Sequence, residues 1–260
     1  MHKFHAFILS LLVTVFLANI FYLFQLQNSQ TSYAPEVIKI NRVIDGDTFQ
    51  TSDGRIIRLA NINSPEKRKS EISGAKSFLE SYINSTVELE ILGKDRYQRQ
   101  LARIYAPEYL NLEIIKQGLV SKFLVREKEL DLFSSAEREA IENQRGIWKR
   151  SVFYSCIETS IDHKKESVML ENFCPNISIE GWYLKDESRA KYTFKVNFIK
   201  TITLHSGKGN DTSTDIYWGK SQAIWNDNRD TLYLFDKENN LAHWKTYGYS
   251  FIFAFYDIFS

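Results

Sequence analysis

Phe49-Gln50-Thr51-Ser52-Asp53-Gly54-Arg55-Ile56-Ile57-Arg58-Leu59 decides the fold of the first half of the chain. Two short β-prone runs flank Asp53-Gly54, a dipeptide that accepts the positive φ of a tight turn, so the stretch predicts a β-hairpin. Upstream, Val37, Ile38 and Ile40 predict a further strand leading into the turn signal Asp45-Gly46. Downstream, Val87, Leu89 and Ile91 alternate with Glu88 and Glu90, the mark of a strand with one buried face, and residues 100–105 make another. Residues 75–83 place Phe78, Leu79, Tyr82 and Ile83 at helical spacing. Asn111 stands where it can cap a helix over 112–117 that Gly118 ends. An Ala- and Glu-rich helix is expected over 133–143, stopped by Gly146, with Trp148 packing back on the core. Five short strands with about three helices predict a mainly β fold with some α, a small closed barrel of the OB type.

The chain of 260 residues has room for more than one core. Its formal net charge of +1 offers no basic surface, so any nucleic-acid site must be a local cluster. Residues 6–24 carry no charge, and about 20 such residues span a bilayer as a helix. This reads as a transmembrane signal anchor in preference to a cleaved signal peptide, whose apolar region is shorter, about 7–15 residues. Both readings put the rest of the chain outside the cytoplasm, tethered to the membrane or secreted. Residues 1–35 are thus anchor and polar tether, 36–150 the barrel, 151–171 a linker, and 172–260 a second β domain. Cys156 and Cys174 are a disulfide candidate in such a compartment, with two buried thiols as the alternative. His163 and His205 are isolated and read as surface residues.

Within 36–150 three stretches gather the chemistry: Asp45-Gly46-Asp47-Thr48, Arg58-Leu59 with Ser64-Pro65-Glu66, and Asp95-Arg96-Tyr97-Gln98-Arg99. With Gln117-Gly118-Leu119 and Gly146-Ile147-Trp148, this ordered set resembles the staphylococcal nuclease family over essentially a whole domain. In-line hydrolysis of a phosphodiester builds negative charge on two non-bridging oxygens, and a guanidinium fork can grip such oxygens with two donors. The resemblance implies Arg58 and Arg99 for that task, and Glu66 as the general base or water-orienting carboxylate. It implies calcium, held by Asp47, by Asn63, and by the backbone carbonyl of Ser64, with Asp45 supporting those ligands. Asn63 departs from the family, which has an aspartate there. The amide oxygen can coordinate calcium but brings no charge, so weaker binding is expected. Arg96 and Tyr97 match positions near the substrate phosphate. Phe123-Leu124-Val125-Arg126 replaces the family's tyrosine-rich run; Phe123 could stack on a base, but packing in the core is the reading preferred, and base preference stays open. Lys67-Arg68-Lys69 could steer a nucleic-acid backbone or simply form a solvated loop.

The second half turns all-β from residue 176, with Ile177 and Ile179 alternating and further strands over 192–196, 201–204 and 231–235. Loops are expected over 207–215 and 236–240, and the aromatic tail over 247–259 reads as a last strand or packing segment. Gly181-Trp182-Tyr183-Leu184, Tyr192-Thr193-Phe194, Tyr217-Trp218-Gly219, Trp225-Asn226 and residues 230–236 resemble the lamin-tail domain, an immunoglobulin-like β-sandwich. The resemblance implies a binding or tethering module without catalytic groups. Together the two halves imply a monomeric, membrane-anchored, calcium-dependent endonuclease acting on DNA and RNA and leaving 3′-phosphates. The alternative is a non-catalytic nucleic-acid or partner-binding module on a degenerate barrel, kept open by Asn63.

Overall fold

The computed structural model describes residues 15–20, 35–65, 74–188, 190–196 and 200–249. The span expected over 6–24 lies for the most part outside these residues. Residues 15–20 are helical, and among the described residues no helix is long and apolar enough to cross a membrane. The described residues from 37 onward make one compact unit.

The first half closes into a barrel. Its strands are β1 (Glu36–Asp45), β2 (Thr48–Thr51), β3 (Ile56–Leu59), β5 (Thr86–Lys94) and β6 (Gln100–Tyr105), hydrogen-bonded in the order β1-β2-β3-β6-β5. The Asp53-Gly54 turn joins β2 to β3 in an antiparallel hairpin, with Gly54 at φ 90°. Register shifts in β1, and at Gly93 in β5, bend the strands enough for the sheet to close. Ile40, Phe49, Ile57, Leu59, Leu89 and Ile104 fill the interior. Each such buried side chain is worth ~1.5–3 kcal/mol relative to exposure. Outside the barrel, β4 (Ile62–Asn63) pairs with β7 (Ser121–Lys122) in a ribbon of their own.

Three helices, α1 (Gly74–Glu80), α2 (Leu110–Lys116) and α3 (Leu130–Glu142), stand at or near the expected places. The cap is different. Tyr109, not Asn111, precedes the first turn of α2, and no side chain caps it. Asn111 is fully buried inside the helix, where its amide donates to Ala60 O and Ala102 O and accepts from the Ile104 N–H. A polar residue near a helix start reads as a cap, but here the barrel needs those hydrogen bonds more. After α2, Gly118 and Gly146 lie back to back. Both have positive φ, and a Cβ on either would sit 2.3 Å from a carbonyl oxygen, of Arg145 and of Gly118 respectively.

The second half builds two four-stranded sheets. One runs β11 (Lys191–Thr193), β10 (Tyr183–Lys185), β14 (Asp230–Phe235), β15 (Leu241–Tyr247). The other runs β13 (Asp215–Tyr217), β12 (Thr201–His205), β9 (Ser167–Asn172), β8 (Ile157–Asp162). Leu184, Leu232 and Leu234 from the first share a core with Val168, Leu170, Ile202 and Leu204 from the second, around Trp182 and Trp225. Two expectations need correction here. Residues 151–171 are not a linker: they hold β8 and most of β9, and Ile157, Val168 and Leu170 are core residues. Their alternation was masked by the charged turn between the strands. Ile177 and Ile179 are buried from outside any strand. Cys156 and Cys174 form a disulfide with Cα atoms 5.2 Å apart, closing this hairpin at its open end. The aromatic tail is described as far as residue 249, within and just beyond β15.

Every residue of β14 is buried. Leu232 and Leu234 face the sandwich core, while Tyr233 and Phe235 point the other way, into a cluster with Ala140, Ile141 and Trp148. Trp148 therefore does not pack back on the barrel core. It stacks on Tyr233, with ring centroids 5.2 Å apart, and on Phe235. Ser151 and Lys149 also exchange backbone hydrogen bonds with Leu241. Barrel and sandwich are thus joined through a buried apolar face and an edge pairing.

Candidate functional site

Asp47 is the hub. It sits between β1 and β2, almost wholly buried at 2% exposure. Its Oδ2 accepts from Arg58 Nη2 at 3.2 Å and from the Ser64 N–H at 3.1 Å, and its Oδ1 accepts from Thr48 Oγ1 at 2.8 Å. The preceding glycine makes this approach possible. A Cβ at Gly46 would lie 2.7 Å from the Ala75 Cβ and 2.8 Å from the Ser64 Cβ. Arg58, on β3 opposite Thr48, is itself buried and anchored by two further bonds, Nη2 to Ile62 O at 2.9 Å and Nη1 to Leu59 O at 3.1 Å.

Arg99 approaches from the turn between β5 and β6. Its Nε and Nη2 both lie 2.7 Å from Asp95 Oδ2, and its Nη1 donates to Thr48 Oγ1 at 3.3 Å. Asp95 Oδ1 caps the turn by accepting from the N–H groups of Tyr97 and Arg99. Desolvation works against the Asp95 charge, but the Arg99 bonds outweigh it and hold the carboxyl below its usual range. Tyr97 is 60% exposed, and the guanidiniums of Arg96 and Arg99 lie 4.8 and 5.4 Å from its ring. Phe123 is only half-buried. It lies under the Arg58 guanidinium at 5.4 Å and, with Leu101, Leu124 and Arg126, lines a cavity beside it.

The structure therefore brings Arg58, Arg99, Asp47, Asp45 and Ser64 together around Thr48, a residue that sequence reasoning assigned no role. Its signal was present in the Asp-Gly-Asp-Thr stretch. Asn63 adjoins this group on β4. Glu66 and Lys67-Arg68-Lys69 lie outside the described residues.

Asp45 Oδ1 accepts the Asp47 N–H at 3.1 Å. Burial first, and the Asp47 charge second, push its carboxyl above the usual range. Such a pair favours a neighbouring cation. The donors present are carboxylate, amide and backbone oxygens, chemistry that suits calcium or magnesium and not zinc or copper. Among the described residues no group of three or more His, Cys, Asp or Glu is placed to hold a metal ion. A cation held here would therefore draw on Asn63, on carbonyls and on water.

Of the two histidines read as surface residues, His163 stacks on Tyr247 and His205 pairs with Asp215 at 2.8 Å.

Residues 56–150 match the family model described as staphylococcal nuclease homologue, and residues 157–250 match that of the Lamin Tail Domain. An "Uncharacterized endonuclease" of Escherichia coli O157:H7 is 30% identical over 115 residues, 42% of this chain and 75% of that protein. A protein of the same description from Haemophilus influenzae is 31% identical over 126 residues, 46% and 70% of the two chains. The "Uncharacterized protein MJ1439" of Methanocaldococcus jannaschii is 30% identical over 148 residues, 44% and 72%. With the barrel, the paired arginines and the glycine contacts already placed, these matches show that the chain belongs to the staphylococcal nuclease homologues.

Proposed function

We propose that this protein is a calcium-dependent endonuclease that hydrolyses DNA and RNA phosphodiesters to 3′-phosphate products. The observation that carries the reading is the anchoring of two arginines on consecutive residues, Arg58 on Asp47 and Arg99 on Thr48. Two guanidiniums held so close can grip two non-bridging oxygens of one phosphate as charge builds on them. Glu66 takes the proton of the attacking water, or orients that water. The leaving group is the 5′ oxygen of the next nucleotide. Asp47, Asn63 and the Ser64 carbonyl would hold calcium, supported by Asp45, and the ion would supply positive charge beside the phosphate. Tyr97 and Arg96 flank the substrate backbone. The cavity lined by Arg58, Phe123 and Arg126 supports the reading as room for a neighbouring base.

We further read the sandwich as immunoglobulin-like, the protein as a monomer, and residues 6–24 as a membrane anchor that leaves the catalytic domain outside the cytoplasm. The uncharged run itself and the Cys156–Cys174 disulfide support that placement.

The test is cleavage of single-stranded DNA with calcium or with EGTA, for wild type, Glu66→Gln and Arg99→Ala. Calcium-dependent cleavage that falls by about 10²-fold or more in both variants is expected. Activity that survives EGTA and both substitutions refutes the assignment.

A further inference from the structure

Three contacts of the candidate site hang on three consecutive residues. Ile62 O holds Arg58, Asn63 is the amide ligand proposed for calcium, and the Ser64 N–H holds Asp47. Ile62 and Asn63 form β4, which pairs with β7 alone, Ile62 opposite Lys122 and Asn63 opposite Ser121. So short a ribbon has little stability of its own. Something must hold β7.

The barrel supplies one clamp. Glu137 on α3 accepts the Lys122 N–H at 2.8 Å and pairs with Lys122 Nζ at 2.6 Å. The sandwich supplies the rest. Lys122 Nζ also reaches Glu187 at 2.9 Å, Thr231 Oγ1 at 3.0 Å and the Tyr233 hydroxyl at 3.2 Å. Beside it, Lys185 on β10 donates to Ser121 Oγ at 3.2 Å, and that hydroxyl donates to Asn63 O at 3.4 Å.

The Asn63 carbonyl and the Ser64 N–H belong to one planar peptide unit. Ser121 holds its oxygen side while Asp47 holds its nitrogen side. A single chain of hydrogen bonds thus runs from Lys185 through Ser121 and the 63–64 peptide to the Asp47 carboxylate, each bond polarising the next. Among the described residues Lys185 makes no ion pair. Its ammonium lies between Ser121 and the Tyr233 ring, 5.0 Å from the ring centroid.

We propose that Lys185 is a positioning residue for the candidate site, acting through Ser121 on the 63–64 peptide, so that the sandwich completes the site of the barrel. This deepens the site reading above and rests on it only for the calcium effect.

The experiment uses the full chain with Lys185→Met, Lys185→Arg, Ser121→Ala and the double variant K185M/S121A. Two quantities are read: amide exchange at Asn63 and Ser64, and calcium affinity by calorimetry. Lys185→Met and Ser121→Ala should each speed exchange at these amides and weaken calcium binding about fivefold, the worth of one net hydrogen bond. The double variant should lose no more than either single one, and Lys185→Arg, which keeps a donor, should stay near wild type. Unchanged exchange at Ser64 in both single variants overturns the proposal. So does faster exchange spread evenly over the chain, which marks a purely structural lysine. If wild type binds no calcium, the metal reading falls, while the exchange comparison still decides the role of Lys185.

Discussion

Glu137→Gln separates a buried charge cluster from a merely crowded interface. Lys122 and Glu137 side chains are 4% and 2% exposed, and the carboxylate holds residue 122 at two points, its N–H and its Nζ. Burial alone would depress the Lys122 pKa, yet the Glu137 and Glu187 carboxylates outweigh it and raise the ammonium's pKa. Breaking a buried pair costs about 3–5 kcal/mol because the remaining charge is left uncompensated. Here Glu187 stays at 2.9 Å, so the low end, about 3 kcal/mol, applies. For a unit of this size, 1 kcal/mol moves the melting midpoint by about 2–4 °C, so a fall of about 6–12 °C is expected.

The assay is scanning calorimetry of wild type, Glu137→Gln, and Glu139→Gln as control. Glu139 lies on the same helix but pairs with Arg145 in solvent, with side chains 56% and 39% exposed, and should move the midpoint by under ~2 °C. Because the cluster and the Trp148–Tyr233 stack both cross from barrel to sandwich, wild type should melt in one transition. A Glu137→Gln shift no larger than that of Glu139→Gln refutes the reasoning about the cluster. Two resolved wild-type transitions refute the claim that it couples the domains.

Asp230 in β14 is held up to about 7, and Asp186 up to about 6, chiefly by burial, with the Glu187 charge adding to Asp230. A raised folded pKa gives stability that is present below the unfolded value near 4 and lost as pH rises through 6 to 7. Relative to wild type, Asp230→Asn should thus fare better in urea at pH 8 than at pH 5, and an equal difference at both refutes the point. Gly118→Ala or Gly146→Ala should each cost more than ~1 kcal/mol in urea unfolding, since each residue has positive φ and lacks room for a Cβ; a neutral result would refute the back-to-back packing. Asn63→Asp should lower the calcium concentration for half-maximal cleavage, and equal midpoints would sink the charge argument. Reducing Cys156–Cys174 should cost about 2–4 kcal/mol in the chain-entropy account, read as a lower urea midpoint with dithiothreitol; an unchanged midpoint would refute it.

What the sequence shows of this protein divides along one physical line. Local signals were legible: the Asp53-Gly54 hairpin, the alternation of 87–91, the ordered arginines and acids of the site. Features set by what meets a residue from far along the chain were not. Asn111 has the sequence signature of a helix cap, and only the closed barrel shows three backbone groups waiting for its amide. Lys122 stands just before Phe123-Leu124-Val125-Arg126, and nothing near it in sequence announces Glu187 or Tyr233.

Residues 230–235 make the same point in the other direction. Their near-continuous apolar run predicts sandwich core, because periodicity cannot tell a strand with one apolar face and a tolerant outer face from one buried on both. The second face, Tyr233 and Phe235, is where the barrel lands. This bears on how the two halves work. A module that only tethered the barrel would need no buried tryptophan stack and no ammonium inserted beside the strand that carries Asn63. Removing residues 160–260 would expose Trp148 and leave Lys122 with Glu137 as its only described carboxylate partner, so truncation would perturb the barrel itself. A change in KM on long DNA after such a deletion would therefore report a damaged site as readily as a lost substrate contact. Only point variants at Lys185 and Ser121, which leave the apolar face intact, separate the two.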